Sequence, residues 1–253
     1  MMDGANELSG KVALITGAAR RSGRETALRL AALGAAVVVN ARHSRAEIEA
    51  VASEIAGAGG RAIAVLADVT SEADVDAMVA EATERFGGID VLINNAANRK
   101  RTPFGAISFA EWREITSIII DGAFLCSQAV IPSMVERGGG VIINIGGVTG
   151  HAGAAERAHV VTGKAALVGL TKALATEFGP AGIRVNCLVP GRVGGERSVT
   201  SGTLPRSNLP KSLPLEREGT FADIAAVATA LATAAGAYIS GQTIHVNGGL
   251  YMA

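Results

Sequence analysis

The chain of 253 residues is poor in cysteine, in aromatic residues and in net charge. Its two cysteines, Cys126 and Cys187, cannot supply the disulfide framework of a small secreted domain. Both lie in apolar surroundings typical of buried thiols in a reducing compartment. Lysine plus arginine (23) balances aspartate plus glutamate (23), so no overall charge attracts the molecule to nucleic acid or to an anionic membrane.

Long hydrophobic runs and metal-ligating spacings are missing as well. No apolar stretch reaches the roughly 18 residues that a membrane span needs, and the first ten residues have neither a basic start nor an apolar run. We therefore expect a cytoplasmic protein without membrane contact. Because no CxxC, HExxH or carboxylate–histidine cluster occurs, we also expect no metal site.

Short runs rich in valine and isoleucine alternate with longer segments that have helical period. Near-continuous apolar strands separated by helices predict a parallel sheet covered on both faces, which is a doubly wound α/β fold. We expect one domain spanning 1–253. Its seven predicted strands are KVALIT (11–16), AAVVVN (35–40), AIAVLA (62–67), DVLINN (90–95), VIINIG (141–146), IRVNCLV (183–189) and TIHVN (243–247).

One compositional break interrupts this alternation. Residues 194–214 are rich in Gly, Ser, Thr and Pro and have no helical period. We interpret the segment as a mobile, lid-like loop. Its six Gly or Pro residues and few apolar residues leave little surface with which to close over a site.

A glycine-containing turn, GAARRSGRETALRLAALG (17–34), leads from the first strand into an amphipathic helix. A phosphate-binding turn needs glycine where the backbone takes positive φ or approaches a pyrophosphate, and the following helix supplies N–H donors and partial positive charge. Gly17 and Gly23 are spaced for this purpose. The turn therefore predicts a nucleotide site at the carboxyl ends of the strands.

Residues 40–43, Asn-Ala-Arg-His, follow the second strand and contain no carboxylate to hold an adenosine ribose by its 2′-hydroxyl. A guanidinium at Arg42, helped by Arg20 or Arg21, favours a 2′-phosphate. The sequence thus predicts NADP(H) in preference to NAD(H). The alternative is that the three arginines are solvated surface charges.

Several further motifs complete a pattern that extends over nearly the whole chain. They are TGAARRSG (16–23), DVT (68–70), NNAA (94–97), NIGGVTG (144–150), Lys164, RVNCLVPG (184–191) and YISGQTIHVNGGLYM (238–252). Together they resemble the short-chain dehydrogenase/reductase family, and the tail is most similar to bacterial β-ketoacyl-acyl-carrier-protein reductases. The resemblance implies a Rossmann-type subunit, usually tetrameric, that moves hydride between a nicotinamide and a carbonyl or alcohol.

The resemblance also implies which positions contact the dinucleotide. Arg21 stands where the family has the second glycine of its TGxxxGxG turn, so its Cβ occupies space needed by the pyrophosphate, although its guanidinium could contact that group. The family usually offers a threonine to the carboxamide where this chain has Gly195. The implied contacts are Gly17, Arg20, Gly23, Arg42, Asp68, Val69, Asn94, Ala96 and Lys164.

Family members catalyse with four side chains: a tyrosine donates a proton, a serine holds the substrate oxygen, a lysine binds ribose, and an asparagine supports a water relay. The matching positions here are Val160, Gly147, Lys164 and Ile119. A positioned acid contributes about 10²–10⁴-fold, so we expect weak or no turnover. For Lys164, ribose binding is one interpretation, and a packed position with an exposed ammonium is the other.

Three functions therefore stay open. The chain is a dinucleotide-binding scaffold or non-catalytic subunit beside an active relative, an active NADPH-dependent oxidoreductase with a substitute donor such as His159, or an interaction module. His159 adjoins the tyrosine position but points about 100° away on a helix, and the alternative is a satisfied surface or loop histidine.

Two features bear on partners. The run Asn98-Arg99-Lys100-Arg101 could attract a phosphate-bearing substrate or an acidic carrier protein, or it could be a solvated loop. Segments 107–135 and 159–179 are apolar on more than one face, which predicts a homo-tetramer or dimer, or a hetero-oligomer with an active relative.

Overall fold

The runs of β-branched residues form strands at the positions predicted from the sequence. In the computed structural model, which describes residues 6–194 and 212–252, seven parallel strands form one sheet in the order β3-β2-β1-β4-β5-β6-β7. Each predicted strand is confirmed with its ends shifted by at most one residue. The strands are β1 (Val12–Ile15), β2 (Ala36–Ala41), β3 (Arg61–Leu66), β4 (Val91–Asn94), β5 (Gly140–Ile145), β6 (Ile183–Pro190) and β7 (Thr243–Val246).

Helices connect consecutive strands, as parallel pairing requires. Several begin at residues whose side chains accept a hydrogen bond from the first turn, such as Ser71, Ser108 and Thr220. The helices in the described residues are α1 (Arg21–Ala32), α2 (Arg45–Gly57), α3 (Glu72–Phe86), α4 (Phe109–Ile119), α5 (Asp121–Glu136), α6 (Thr149–Ala152), α7 (Ala158–Phe178) and α8 (Phe221–Ala232).

Two apolar cores lie on opposite faces of the sheet. Alternate residues of β1 point to opposite sides, so Ala13 and Ile15 pack with α1, α2 and α8, whereas Val12 and Leu14 pack with α3 and α5. Leu14 and Ile15 are fully buried, and each such side chain stabilises the fold by about 1.5–3 kcal/mol. The prediction of a doubly wound α/β fold with helices on both faces is confirmed.

The segment Phe109–Glu136, which α4 and α5 share, corrects one expectation. By length and composition it is apolar enough to cross a membrane, so the expectation that no stretch reaches this length was wrong. However, 44% of its most apolar window is buried inside the protein, and α4 and α5 contact α7 and α3. Both helices therefore pack against other helices of the fold. Cys126 within it is a free, buried thiol, as is Cys187.

The order of the strands positions the site. The chain runs outward from β1 to β3 in one direction and from β4 to β7 in the other, so the connections that leave the carboxyl ends of the neighbouring strands β1 and β4 run toward opposite edges of the sheet. Ligands bind at such a reversal point in open α/β sheets. Most of the predicted loop 194–214, including Gly195, lies outside the described residues.

Candidate functional site

The turn after β1 is held by hydrogen bonds from the end of β4. The amide of Asn95 donates to the carbonyls of Thr16 and Gly17, both at 2.9 Å, and the Thr16 hydroxyl accepts from the backbone N–H groups of Asn95 and Ala96, both at 3.0 Å. Gly17 has φ +63°, and a Cβ there would lie 2.9 Å from the Cα of Ala96. Only glycine fits this turn, because both the φ angle and the close backbone require it.

Gly23 and Arg21 shape the start of α1. A Cβ at Gly23 would lie 2.6 Å from the Asn95 amide nitrogen and 2.7 Å from the Gly17 carbonyl oxygen, so Gly23 brings α1 close to the turn. Arg21 has φ +56°, in the left-handed region that glycine adopts freely. A side chain in that region costs roughly 1–2 kcal/mol. The turn thus keeps a glycine-like backbone at Arg21 although the residue is arginine.

A cleft of about 330 Å³ opens beside this turn. Seven of the predicted contact residues line it: Gly17, Arg20, Arg21, Arg42, Asp68, Val69 and Ala96. Gly23, Asn94 and Lys164 do not line it. The cleft is lined as well by residues outside the predicted contact set, two of them from the basic run that follows β4; they are Ala19, Ser22, Asn40, Ala41, Ser44, Ala67, Asn95, Ala97, Asn98, Arg99 and Ile118.

The walls of the cleft are strongly cationic. Among the described lining residues, four carry a guanidinium and one, Asp68, carries a carboxylate. Arg42 Nε lies 2.9 Å from Asp68 Oδ2, and Arg20 lies 3.9 Å from Glu47 on α2. Burial alone would raise the pKa of Asp68, but hydrogen bonds from Thr70 and the charge of Arg42 outweigh it and lower that pKa. The excess of guanidinium groups suits a ligand with several phosphates.

Asn94 lies beneath the cleft. Its amide donates to Asn144 Oδ1 at 2.9 Å and to Ser127 Oγ at 3.2 Å, and the amide of Asn144 donates to Thr171 Oγ1 at 3.0 Å. All four residues are buried. Asn94 therefore joins β4 to β5 and α5, while its neighbour Asn95 faces the cleft. Because Asn94 and Asn95 are adjacent and identical, the sequence did not show which of them would face the cleft.

Of the three positions predicted to match the family's asparagine, serine and tyrosine, Ile119 and Val160 lie in an apolar cluster, and Gly147 is half-buried. Ile119 is 2% exposed and Val160 is 3% exposed, and they share a cluster with Val148 and Cys187. Ile119 packs against α7, where a Cβ at Gly163 would lie 3.0 Å from Ile119 Cδ1. Neither side chain can donate a hydrogen bond.

Lys164 projects from α7 into this apolar region and is only 6% exposed. Its ammonium donates to the carbonyl of Ile145 at the end of β5. Burial, with a smaller contribution from the charge of Arg99, lowers the pKa of Lys164 to about 7, and Cys187 opposes the shift. The interpretation of Lys164 as a packed residue with an exposed ammonium is wrong, because the whole side chain is buried. Arg99 lines the cleft and also acts on Lys164, so it links the two regions.

His159 is fully buried, so the interpretation of it as a surface or loop histidine is wrong. Its Nδ1 accepts from the backbone N–H of Val160 at 2.9 Å, which leaves the proton on Nε2, 3.2 Å from Glu111 Oε1. Glu111 also pairs with Lys100 at 2.7 Å. Both ring nitrogens of His159 are therefore occupied by partners within the protein.

The basic run after β4 is engaged in ion pairs. Lys100 contacts Glu111 on α4, and Arg101 contacts Glu156 just before α7. Thr102 N also donates to the Glu156 carbonyl at 2.8 Å. These contacts hold the loop between the two helices. In residues 6–194 and 212–252, no group of three or more His, Cys, Asp or Glu could hold a metal ion.

Comparison with known proteins agrees with this geometry. Residues 17–251 match a family model described as enoyl-(acyl carrier protein) reductase. The chain is 38% identical over 242 residues to the 3-oxoacyl-[acyl-carrier-protein] reductase FabG of Staphylococcus epidermidis, covering 96% of this chain and 99% of the relative. It is also 38% identical to the 3-oxoacyl-[acyl-carrier-protein] reductase of a Synechocystis strain, over 97% of this chain and 98% of the relative.

A third relative is named as a subunit. The chain is 37% identical to the (2S)-[(R)-hydroxy(phenyl)methyl]succinyl-CoA dehydrogenase subunit BbsD of Thauera aromatica, over 96% of this chain and 97% of the relative. These matches extend over almost the full length of each protein. The parallel sheet, the glycine turn after β1 and the similarity to 3-oxoacyl carrier-protein reductases show that the chain belongs to the short-chain dehydrogenase/reductase family.

Proposed function

We propose that the protein binds a dinucleotide in the cleft, NADP(H) in preference to NAD(H), and that hydride transfer of the family type is weak or absent. The chain keeps the parts that recognise the adenosine half and the phosphates. It lacks the groups that would protonate a substrate oxygen.

The cleft fits the phosphate-bearing half of such a ligand. Gly17 leaves the backbone accessible where a Cβ would clash with Ala96, and the N-terminus of α1 adds partial positive charge. Arg42, with Arg20, would hold a 2′-phosphate. Arg42 now pairs with Asp68 at 2.9 Å, so a phosphate there would exchange one anionic partner for another.

The remaining predicted contacts complete the binding surface. Arg21, Asp68, Val69 and Ala96 line the cleft. Asp68 and Val69 would contact the adenine, and the guanidinium of Arg21 would contact the phosphates. Lys164 would hold the nicotinamide ribose. When bound, the nicotinamide would supply or accept hydride.

The observation that carries the proposal is the burial of Ile119 and Val160 in an apolar cluster. Gly147 adds no hydroxyl. The side chains at these three positions could donate neither a proton nor a hydrogen bond to a developing alkoxide oxygen. The loss of one positioned acid slows such a reaction by about 10²–10⁴-fold. His159 is a poor substitute because Glu111 and the Val160 N–H occupy its ring nitrogens.

A second candidate function is a non-catalytic subunit beside an active relative. The Thauera aromatica relative is named as a dehydrogenase subunit, which favours this arrangement. Any substrate would then be a carbonyl compound or alcohol bound elsewhere in the assembly. A homo-tetramer or dimer is the alternative. We place the protein in the cytoplasm, by analogy with its reductase relatives.

Calorimetric titration with NADPH and NADH tests the binding proposal. We expect micromolar or tighter binding of NADPH and at least tenfold weaker binding of NADH. Replacing Arg42 by alanine should weaken the binding of NADPH at least tenfold and leave the affinity for NADH nearly unchanged. Arg45→Ala is the matched control, because Arg45 is exposed at the start of α2 and its described side-chain contact is an ion pair with Glu49. Absence of binding by either dinucleotide would overturn the proposal and favour an interaction module.

Native mass spectrometry of the protein isolated from its own cells tests the second candidate. A complex of this chain with a different member of the family supports a hetero-oligomer. A complex that contains only this chain supports a homo-oligomer.

A further inference from the structure

Arg42 and Asp68 lie side by side because they follow neighbouring strands of the sheet. Ala41, the last residue of β2, pairs with Leu66 of β3, and the Ala67 N–H donates to the Ala41 carbonyl at 3.2 Å. Arg42 and Asp68 thus leave the sheet at adjacent points. Their charged groups meet at the cleft, with Arg42 Nε 2.9 Å from Asp68 Oδ2.

The carboxylate of Asp68 is held in place from several sides. Its Oδ1 accepts from the Thr70 N–H at 3.0 Å and from the Thr70 hydroxyl at 2.8 Å. The backbone N–H of Asp68 donates to Asp74 Oδ2 at 2.9 Å. The preceding carbonyl, that of Ala67, accepts from the buried amide of Asn40 at 3.1 Å. Both the carboxylate and the backbone that carries it are therefore anchored.

The guanidinium of Arg42 is less constrained. Its side chain is 48% exposed, against 21% for that of Asp68. Within residues 6–194 and 212–252, the ion pair with Asp68 is the only polar contact of the Arg42 side chain. Asp68 also carries the only carboxylate among the described residues that line the cleft. This negative charge therefore lies against the guanidinium that is proposed to hold the 2′-phosphate.

From this arrangement we infer that Asp68 competes with the 2′-phosphate of a nucleotide for Arg42 and so limits the preference of the cleft for 2′-phosphorylated ligands. A phosphate that approaches Arg42 must replace the carboxylate or share the guanidinium with it, and the two anions repel each other. A nucleotide with a free 2′-hydroxyl leaves the ion pair intact. The inference rests on the proposed dinucleotide site and identifies a residue that sets its specificity.

A second ion pair beside the cleft provides a contrast. Arg20 Nη2 lies 3.9 Å from Glu47 Oε2, and the two side chains are 63% and 48% exposed. Glu47 lies on α2 and does not line the cleft. Exposed pairs of this kind interact weakly because water screens them. Glu47 should therefore compete little with a phosphate, which makes Glu47→Gln the matched control.

Asparagine at position 68 removes the charge and keeps the shape of the side chain. Its amide oxygen can still accept both hydrogen bonds from Thr70, so the loop after β3 should keep its conformation. Asp68→Asn therefore tests the charge of Asp68 separately from its structural contacts. Circular dichroism and urea unfolding of the variant check that the fold is unchanged.

Calorimetric titration with 2′,5′-ADP and with 5′-AMP at pH 7.5 tests the inference. Because the two probes share the adenosine and the 5′-phosphate, the ratio of their dissociation constants isolates the contribution of the 2′-phosphate. Loss of an adenine contact at residue 68 would weaken both probes and cancel in this ratio. We expect Asp68→Asn to increase the preference for 2′,5′-ADP by about fivefold or more, and Glu47→Gln to change it by less than about twofold.

Arg42→Ala tests whether Asp68 acts through this guanidinium. When Arg42 is absent, adding Asp68→Asn should change the preference by less than about twofold, because there is no cation left to compete for. An equal gain with and without Arg42 would contradict the competition. A preference that falls in Asp68→Asn would show that Asp68 orients Arg42 for the phosphate, and would also overturn the inference.

The same titrations separate this inference from the proposed function. A wild-type protein that binds neither probe overturns both. A wild-type protein without preference for 2′,5′-ADP, together with a preference that appears in Asp68→Asn, supports the competition and overturns the proposed preference for NADP(H). A wild-type preference for 2′,5′-ADP that Asp68→Asn leaves unchanged overturns the inference alone.

Discussion

Replacement of Lys164 by methionine should increase the free energy of unfolding, although the sequence comparison predicts that Lys164 matches the family's catalytic lysine. The lysine is 6% exposed and its burial lowers its pKa from an ordinary value of 10.5 to about 7. Folding must therefore remove a proton or bury a charge. Methionine has a similar length and fills the same space without a charge.

The size of the effect follows from the two pKa values. At pH 7 the unfolded lysine is fully protonated and the folded one is half protonated, which costs about 4 kcal/mol. Because the folded pKa is below the unfolded pKa, this cost vanishes above pH 10.5 and grows as the pH falls toward 7. At pH 9 it should be about 2 kcal/mol.

Urea unfolding of wild type and Lys164→Met at pH 7 and pH 9 measures the effect. Lys172→Met is the matched control, since Lys172 is exposed on the same helix and should change stability by less than about 0.5 kcal/mol. A Lys164→Met variant that is less stable than wild type, or a gain that does not shrink between pH 7 and pH 9, would refute the reasoning.

Three further predictions concern the turn and the sheet, each measured by urea unfolding. Arg21→Gly should raise the free energy of unfolding by about 1 kcal/mol because φ is +56° at Arg21, whereas Arg24→Gly in the same helix should lower it by about 1 kcal/mol. A change of the same sign in both variants would contradict this. Gly17→Ala should destabilise the turn and weaken NADPH binding at least tenfold, whereas Gly169→Ala on α7, with open space around it, should stabilise slightly. Asp90→Ala should cost about 3 kcal/mol, because the buried carboxylate accepts from a guanidinium and an ammonium; a loss below 1 kcal/mol would contradict this.

The sheet was predictable because its strands are short, almost fully apolar and bounded by polar turns. The run AAVVVN became β2, Ala36–Ala41, whose residues are all buried. Arg42 could be placed at the cleft because it directly follows the predicted second strand, and Asp68 was placed there through the family's DVT motif.

Other features depend on contacts that sequence spacing does not contain. His159 is buried because α4 brings Glu111 to it from 48 positions away. Asn94 ends β4 and Asn95 follows it, and their amides contact different partners, so the motif alone could not assign Asn95 to the turn. The positive φ of Arg21 could likewise not be predicted from the sequence, because a non-glycine residue rarely adopts a positive φ.

The central claim is that dinucleotide recognition remains where family chemistry has been lost. The direct test introduces Ile119→Asn, Gly147→Ser and Val160→Tyr together. The serine fits, since a Cβ at Gly147 makes only ordinary contacts with Lys164, but the larger side chain at Val160 could cost about 1–3 kcal/mol. Urea unfolding should first establish that the variant is folded.

The measurement is kcat/KM for NADPH-dependent reduction of an acetoacetyl thioester by wild type and by the triple variant. We predict a wild-type rate close to background and an increase of at least 100-fold in the variant. A wild-type protein that reduces the thioester rapidly, with no gain from the three substitutions, would contradict the account.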